Sequence, residues 1–304
     1  MKIIKKFLFF LFLLLIVFFL LNFKTFFLNI SSTPDKKIFS IEKGEGIFEI
    51  AKKLEKEKII KNRFLFLGYA ILKGKHRKIL AGKYELNSSM TIPQILEKFV
   101  KGETAKIKVT IPEGFTIKEI EEKLKVDLPE ELEGYLFPDT YYFSIDYTSK
   151  DVIKAMKENF DKKIAPYLPE IERQGKSLRE VIILASLVEK EVKTKEEKEI
   201  VAGILWKRLK AKIPLQVDAT ITYITGKKTT KIPLEDLQID SPYNTYKYLG
   251  LPPGPICNPG LESILAVIYP KETDYWYYLT TPEGKAIFSK TFLEHQIAKE
   301  KYLK

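Results

Sequence analysis

The sequence has one cysteine, Cys257, and two histidines, His76 and His295, in 304 residues. A single thiol excludes an intramolecular disulfide and any thiolate metal cluster. Two imidazoles exclude a three-histidine metal site, and a Ser-His-Asp or Cys-His centre would have to use one of that pair. His295 lies beside Glu294 in the last helical stretch and reads as a surface or packing residue. Any acid–base chemistry therefore falls to carboxylates, with no metal and no cofactor. Strong charge of one sign is also lacking after the first residues. Lys2, Lys5, Lys6 and Lys24 account for +4 of the formal net charge of +11, leaving +7 beyond residue 30. No element carries a basic cluster, which argues against a nucleic-acid partner. Apolar residues are plentiful at 45%, which excludes global disorder, and the length suits about two domains.

The N-terminus holds the one long apolar run. Phe7 to Leu21 is apolar without exception and the stretch continues to Leu28, interrupted by Asn22 and Lys24. A spanning helix needs about 20 mostly apolar residues, and Lys24 can reach the interface with its ammonium. A cleaved signal peptide is the alternative, but no small-x-small site follows and no lipobox is present. Lys2, Lys5 and Lys6 set the N-terminus in the cytoplasm by the positive-inside bias. Residues 1–30 thus read as a cytoplasmic tail and single-pass anchor in the cytoplasmic (inner) membrane, with the rest periplasmic or extracytoplasmic.

Behind a short polar linker, Phe39–Leu54 aligns without gaps on Val109–Leu124. The matches are Ile41/Ile111, Gly44/Gly114, Ile47/Ile117, Glu49/Glu119, Ile50/Ile120, Lys53/Lys123 and Leu54/Leu124. Each copy predicts a short strand, a glycine turn and an amphipathic helix, and Thr116 with Glu119 forms a capping box in the second. Tyr84-Glu85-Leu86 and Thr91–Leu96 predict a further strand and helix start. Such units resemble LysM-type glycan-binding modules; a plain α+β spacer would look the same. From Ser177 the chain is mainly helical, with capping boxes at Ser177/Glu180 and Thr194/Glu197 and a buried stripe through Ile200, Val201, Ile204, Leu205 and Leu209. Residues 215–225 fit strand or helix. Asn258-Pro259 predicts the start of another helix, residues 275–279 and 286–289 a hairpin around Pro282-Glu283-Gly284, and Thr291 to Glu294 the last cap. The fold class is α+β: an N-terminal transmembrane helix, a small LysM-like α+β subdomain over 36–111, and a larger, mainly helical domain over 112–304 with a short hairpin.

The end of the helix VIILASLVEKEV carries the chemistry. Glu191 falls at i+7 from Leu184, i+4 from Leu187 and i+3 from Val188, so it continues the apolar stripe. Glu189 lies on the side of Ala185 and Ser186. A carboxyl against an apolar wall keeps its proton to higher pH, as a general acid requires. The bland alternative is that both acids emerge into solvent and pair with Lys190, Lys193 or Lys195.

Five ordered motifs then give a resemblance: Glu133–Tyr141 (EGYLFPDTY), Ala185–Glu191 (ASLVEKE), Leu215–Thr220 (LQVDAT), Ser241–Tyr246 (SPYNTY) and Gly250–Ile256 (GLPPGPI). With the anchor and LysM-like segment, the chain resembles the endolytic murein transglycosylases, the MltG or YceG-like family, over nearly all of its length after residue 35. The resemblance implies that 112–304 is a lytic transglycosylase domain and that Glu191 is catalytic. It implies cleavage of the MurNAc–GlcNAc β-1,4 bond of nascent strands with 1,6-anhydro ends, terminating elongation. A non-catalytic, membrane-anchored peptidoglycan-binding protein is the alternative. The implied partners are glycan strands, the membrane and peptidoglycan synthases (penicillin-binding proteins). Tyr135, Gln216, Tyr243, Asn244 and Tyr246 are candidate sugar-binding groups, with scaffold roles as their alternative. Asp139 and Asp218 would stabilise oxocarbenium charge or cap local turns. The chain departs from the family pattern at Val192, where Thr or Ser is usual, and at Val217 and Ala219, where Thr and Pro are common.

The anchor reading has a direct check. A chain beginning at Asp35 is expected to be soluble and to keep its folded domains, whereas the full chain stays with membranes. N-terminal sequencing of protein from cells should find no mature chain starting between residues 20 and 35; finding one makes the segment a signal peptide.

Overall fold

The computed structural model describes residues 35–227 and 232–303, with isolated positions between Phe7 and Val17. The expected Phe7–Leu28 span lies outside the described residues apart from those positions. Among the described residues no helix is long and apolar enough to cross a membrane. The chain is a mixture of helices and small sheets and divides into two compact units, Met1–Ile107 with Tyr142–Tyr147, and Lys108–Tyr141 with Thr148–Lys304.

In the first unit the elements run β1 (Lys36–Ile41), α1 (Ile47–Lys56), α2 (Arg63–Leu72), β2 (Gly82–Asn87) and α3 (Ile92–Lys101). The two strands pair antiparallel, with Phe39 opposite Tyr84. Strand alternation sends Phe39, Ile41, Tyr84 and Leu86 inward. The helices lay their apolar faces on that side through Ile50 and Leu54, Leu65 and Phe66, and Ile95 and Phe99. Phe99 sits at the centre, its ring 4.8 Å from Tyr84, 5.8 Å from Phe39 and 6.3 Å from Phe66. Tyr84 is fully buried because its hydroxyl donates to the Leu80 carbonyl at 2.7 Å.

The sequence repeat is a structural one. Its second copy forms β3 (Lys106–Thr110) and α4 (Ile117–Leu124). Gly44 and Gly114 both turn the chain through the left-handed region, at φ 85° and 77°. Ile41 and Ile111, Ile50 and Ile120, and Leu54 and Leu124 are all buried. The copies differ at the helix start: Gly46 offers no side-chain cap, whereas Thr116 and Glu119 form the expected box.

Strand β4 (Thr140–Ser144), whose last three residues fall in the first unit, pairs with β3, and the second unit continues with α5 (Ser149–Ile164) and α6 (Leu168–Arg173). After them come α7 (Leu178–Glu191), α8 (Lys195–Lys210), α9 (Asp218–Thr225) and α10 (Leu261–Ile268). An antiparallel hairpin, β5 (Tyr277–Thr280) with β6 (Ala286–Ser289), and α11 (Phe292–Tyr302) complete it. Helix α7 is the centre: Val181 to Val188 are all buried, and α8 and α10 pack on it. Capping boxes close the starts of α7, α8 and α11 as expected. On α8, Val201, Ile204 and Leu205 are buried as expected, but Lys198 and Arg208 are buried too, and Ile200 and Leu209 only partly.

One open reading is decided and one expectation is corrected. Residues 218–225 are helical, so their β-branched residues yield to tertiary context. Asn258 does not cap α10, whose N-cap is Gly260. Its amide is consumed elsewhere, accepting from Leu136 N–H at 2.9 Å and donating to the Phe115 carbonyl and Glu133, each at 3.0 Å.

Phe99→Ala removes the ring that three others share and should destabilise the first unit by about 3–5 kcal/mol. Hydrogen exchange at the β1–β2 amides is expected to accelerate accordingly, and unchanged protection would show that the core lies elsewhere.

Candidate active site

Glu189 and Glu191 leave the end of α7 into opposite environments. Glu189 Oε2 accepts from the Gly260 N–H at 2.9 Å and from Ser263 Oγ at 2.6 Å, and Oε1 meets Lys198 Nζ at 3.3 Å. The two side chains are 9% and 4% exposed. Glu189 therefore acts as the cap of α10, where an anion is favoured by the helix dipole, and closes a buried ion pair. Simple solvation with Lys190, Lys193 or Lys195 does not describe it.

Glu191 is partly buried and poorly satisfied. Its Oε1 receives only the Ala219 N–H, at 3.5 Å. Burial first, and then the negative charge of Asp218, push its carboxyl up to about 7, against the opposing pull of the Ala219 N–H and the Tyr278 hydroxyl. Asp218 is exposed and accepts a hydrogen bond from the Tyr246 hydroxyl. Gln216, also exposed, sits two residues earlier with a left-handed φ of 53°. That conformation is held from outside. Gln216 N–H donates to the Thr245 carbonyl at 3.1 Å and Val217 N–H to Thr245 Oγ1 at 2.9 Å. Buried Arg208 binds the Leu215 carbonyl at 2.9 Å and, from the hairpin side, the Trp276 carbonyl at 2.9 Å. The hairpin is also tied to α7 directly, because Thr280 Oγ1 donates to the Glu191 carbonyl at 3.1 Å. The arrangement offers one proton-holding carboxyl with an ionisable neighbour at its rim. Among the described residues no cluster of His, Cys, Asp or Glu is arranged to hold a metal ion.

The model of the YceG-like family matches residues 39–301. The chain belongs to the YceG-like family. It is 34% identical to a protein of Bacillus subtilis named endolytic murein transglycosylase, over 87% of this chain and 84% of that one. A Streptococcus pneumoniae protein of the same name is 31% identical over 84% of this chain but only 56% of its own length. The crystal structure of a YceG-like protein from Listeria monocytogenes superposes with a TM-score of 0.59 at 33% identity, covering 88% of this chain and all of the other.

Of the residues expected at the site, this YceG-like chain brings Asp218 and Tyr246 to Glu191, with Gln216 two residues before Asp218. Asn244 is a different case. It is fully buried, with its amide donating to the Leu237 and Ile239 carbonyls at 3.0 and 2.8 Å and accepting from Tyr246 N–H at 3.0 Å. It holds the loop that presents Tyr246 and, fully buried, has no face open to a sugar. Tyr135 packs edge-on against Phe160 at 5.4 Å, and Tyr243 lies against Tyr223 at 5.1 Å. Both feel the charge of Arg179, at the start of α7 and roughly 18 Å of helix from Glu191. Asp139 takes hydrogen bonds from Thr140 N–H at 2.7 Å and Asn159 at 3.1 Å, with Lys163 at 4.0 Å. Those groups, overcoming its burial, hold it below the usual range, and none is shared with Glu191. Val192 and Val217, two of the departures from the family pattern, are buried; the third, Ala219, supplies the N–H that meets Glu191 and that a proline there would lack.

Tyr278, Thr280 and Arg208 were not among the residues expected at the site, and Glu133 was named only as part of a motif. The signals were faint: Tyr278 and Thr280 share one face of a strand, and Arg208 extends an apolar helical stripe. Glu133 is buried, accepts from the Ile117 N–H at 3.1 Å and from Asn258, and is pushed by burial to about 7. His295 is buried against Tyr277 at 5.3 Å, and burial lowers it to about 4, so it serves packing.

These acids set a pH dependence. Glu133 and Glu191 rise from the ordinary 4.5 to about 7 on folding, so the folded chain binds their protons more tightly. The stability this gives is complete below about pH 4.5 and is lost as pH rises through 7. Thermal melts should therefore fall from pH 5 to pH 8, and Glu191→Gln should melt higher than wild type at pH 8. Glu189→Gln, which strands Lys198 in the interior, should instead lose about 3 kcal/mol at either pH. The reverse ranking of the two variants would show that their roles are exchanged.

Proposed function

We propose that this chain is a membrane-anchored lytic transglycosylase that cuts inside peptidoglycan glycan strands, with Glu191 as its acid–base group. The name shared by the relatives supports the substrate, and one observation supports the residue: Glu191 is a half-buried carboxyl held near neutrality beside an exposed carboxylate. Hydrolysis of a glycoside ordinarily uses two carboxyl groups, one of them to activate water or to form a glycosyl-enzyme. A single acid suffices where the substrate brings its own nucleophile. Protonated Glu191 gives its proton to the glycosidic oxygen as the bond to the muramic C1 breaks. Its carboxylate then takes the proton of the C6 hydroxyl of the same ring, whose oxygen closes on C1. The product is a 1,6-anhydro end; no water is consumed, and Glu191 regains its proton. Asp218, fixed by Tyr246, faces the positive charge that develops on the ring, and Gln216 and Tyr246 offer hydrogen bonds to it.

The other assignments are part of the same reading. The Phe7–Leu28 run anchors the chain with its N-terminus in the cytoplasm, so the enzyme works on strands near the membrane, alongside peptidoglycan synthases, and ends their elongation. The β1–α1–α2–β2 order with an antiparallel strand pair supports a LysM-like module that holds glycan.

The test is chromatography and mass spectrometry of muropeptides released from sacculi by purified variants. Glu191→Gln should cut the yield of 1,6-anhydro ends by about 10²–10⁴-fold, while Glu189→Gln keeps turnover per folded molecule. A dead Glu189→Gln with an active Glu191→Gln overturns the residue assignment. Reducing ends in place of anhydro ends overturn the single-carboxyl mechanism, and the search for a water-activating partner then begins at Asp218.

A further inference from the structure

The C-terminal hairpin reaches Glu191 twice. Thr280 binds its main-chain carbonyl at 3.1 Å. Tyr278, two residues away on β5, points to the same face, and its hydroxyl is buried without a partner at hydrogen-bonding geometry. An orphaned buried hydroxyl is costly unless something uses it. Glu191 is the strongest charge acting on it, followed by Arg208, with Tyr246 further down. The remaining groups facing the Glu191 carboxyl are the Ala219 N–H, Asp218 on α9 and Tyr246 from the loop that follows α9. Asp218 disfavours the ionised carboxyl. Ala219 N–H favours it only across 3.5 Å, which leaves the second half of the proposed reaction poorly supported.

We infer that Tyr278 is a positioning residue for Glu191: its hydroxyl stays idle while the carboxyl is protonated and donates to the carboxylate once the proton has left. The inference rests on the proposed reaction, in which Glu191 alternates between acid and base. A donor that engages only the ionised state lowers the barrier to leaving the proton on the departing sugar. It also orients the carboxylate for the C6 hydroxyl. Arg208 prepares this contact from behind. Bound to the Trp276 carbonyl at 2.9 Å and stacked over Tyr277 at 5.0 Å, it fixes the register of β5 against the loop before α9. Its charge also polarises the Tyr278 hydroxyl towards donation.

The sign of the effect is fixed. A hydrogen bond to the carboxylate lowers the Glu191 pKa, so removing it must raise that pKa. The experiment uses the full chain in detergent with peptide-free glycan strands, and follows kcat and KM against pH for wild type and Tyr278→Phe. The alkaline limb of kcat/KM, which reports the acid form of Glu191, should move up by roughly one pH unit, the equivalent of one hydrogen bond to a charged group. At neutral pH kcat should fall by roughly tenfold with KM nearly constant. Replacing Tyr278 by 3-fluorotyrosine, a stronger donor of nearly the same shape, should move the limb downward and serves if the Phe variant folds poorly. Independently of turnover, ¹³C resonances of labelled Glu side chains, with Glu191 assigned by its loss in Glu191→Gln, should titrate higher in Tyr278→Phe. Profiles and titrations that coincide with wild type overturn the inference. A wild type that makes no anhydro ends but whose Glu191 resonance still shifts overturns the reaction and leaves the hydroxyl–carboxylate coupling standing.

Discussion

The constraint on which the second unit depends is the complete burial of α7 from Val181 to Val188. A helix that is apolar all round must be enclosed all round, so α8, α10 and the loop through Ile256 have no freedom to sit elsewhere. The one hydroxyl in the buried stretch makes this specific. Ser186 Oγ donates to the Ile183 carbonyl at 2.7 Å and accepts from the Ile256 N–H at 3.0 Å. Its own carbonyl takes the Cys257 thiol at 3.3 Å. Polar needs that the helix body cannot meet are displaced to its ends. Ser177 and Glu180 satisfy the first turn, and the last turn is left with two acids that must find partners outside the helix.

Those two acids divide structure from chemistry. Glu189 has two neutral donors and one buried cation, and so it is committed: moving it would uncap α10 and strand Lys198. Glu191 has one distant N–H and a neighbouring negative charge. Its ionised form is only weakly supported in the resting chain, and for that reason the proton remains available near neutrality. A carboxyl that is badly satisfied when the protein is at rest costs stability, and this cost falls where catalytic groups are normally found.

The half-buried placement of Glu191 was legible in the sequence because it depends on a short-range rule, the 100° period of a helix whose apolar stripe is unbroken. Caps at Ser177, Thr194 and Thr291 were legible for the same reason. Asn258 was misread because the cap of α10 arrives from Glu189, 71 residues away in the chain. Nothing local to Asn258-Pro259 records that the position is already filled. Asn244 sits in a motif with the composition of a sugar-binding loop, yet its amide closes the loop on itself. Composition cannot separate an amide that faces inward from one that faces out. Tyr278 was hard to read because a four-residue strand is too short for its pattern to say which face meets which helix, and Arg208 because a charged residue on an apolar stripe reads as the edge of that stripe.

The environment of Glu191 is set more by backbone than by side chains. Gln216 adopts a left-handed conformation that costs a residue with a Cβ about 1–2 kcal/mol. Two hydrogen bonds from the Gln216–Val217 backbone to Thr245 and one from Arg208 offset that strain. The bend puts Asp218 at the first turn of α9 and aims the Ala219 N–H at the carboxyl. With proline at this position, as is common in the family, the donor would be gone and the carboxylate would lean still more on Tyr278. With alanine there, a backbone N–H and a buried phenol share the stabilisation of the ionised acid. The balance between them, and not the identity of Glu191 alone, fixes how readily the proton is released.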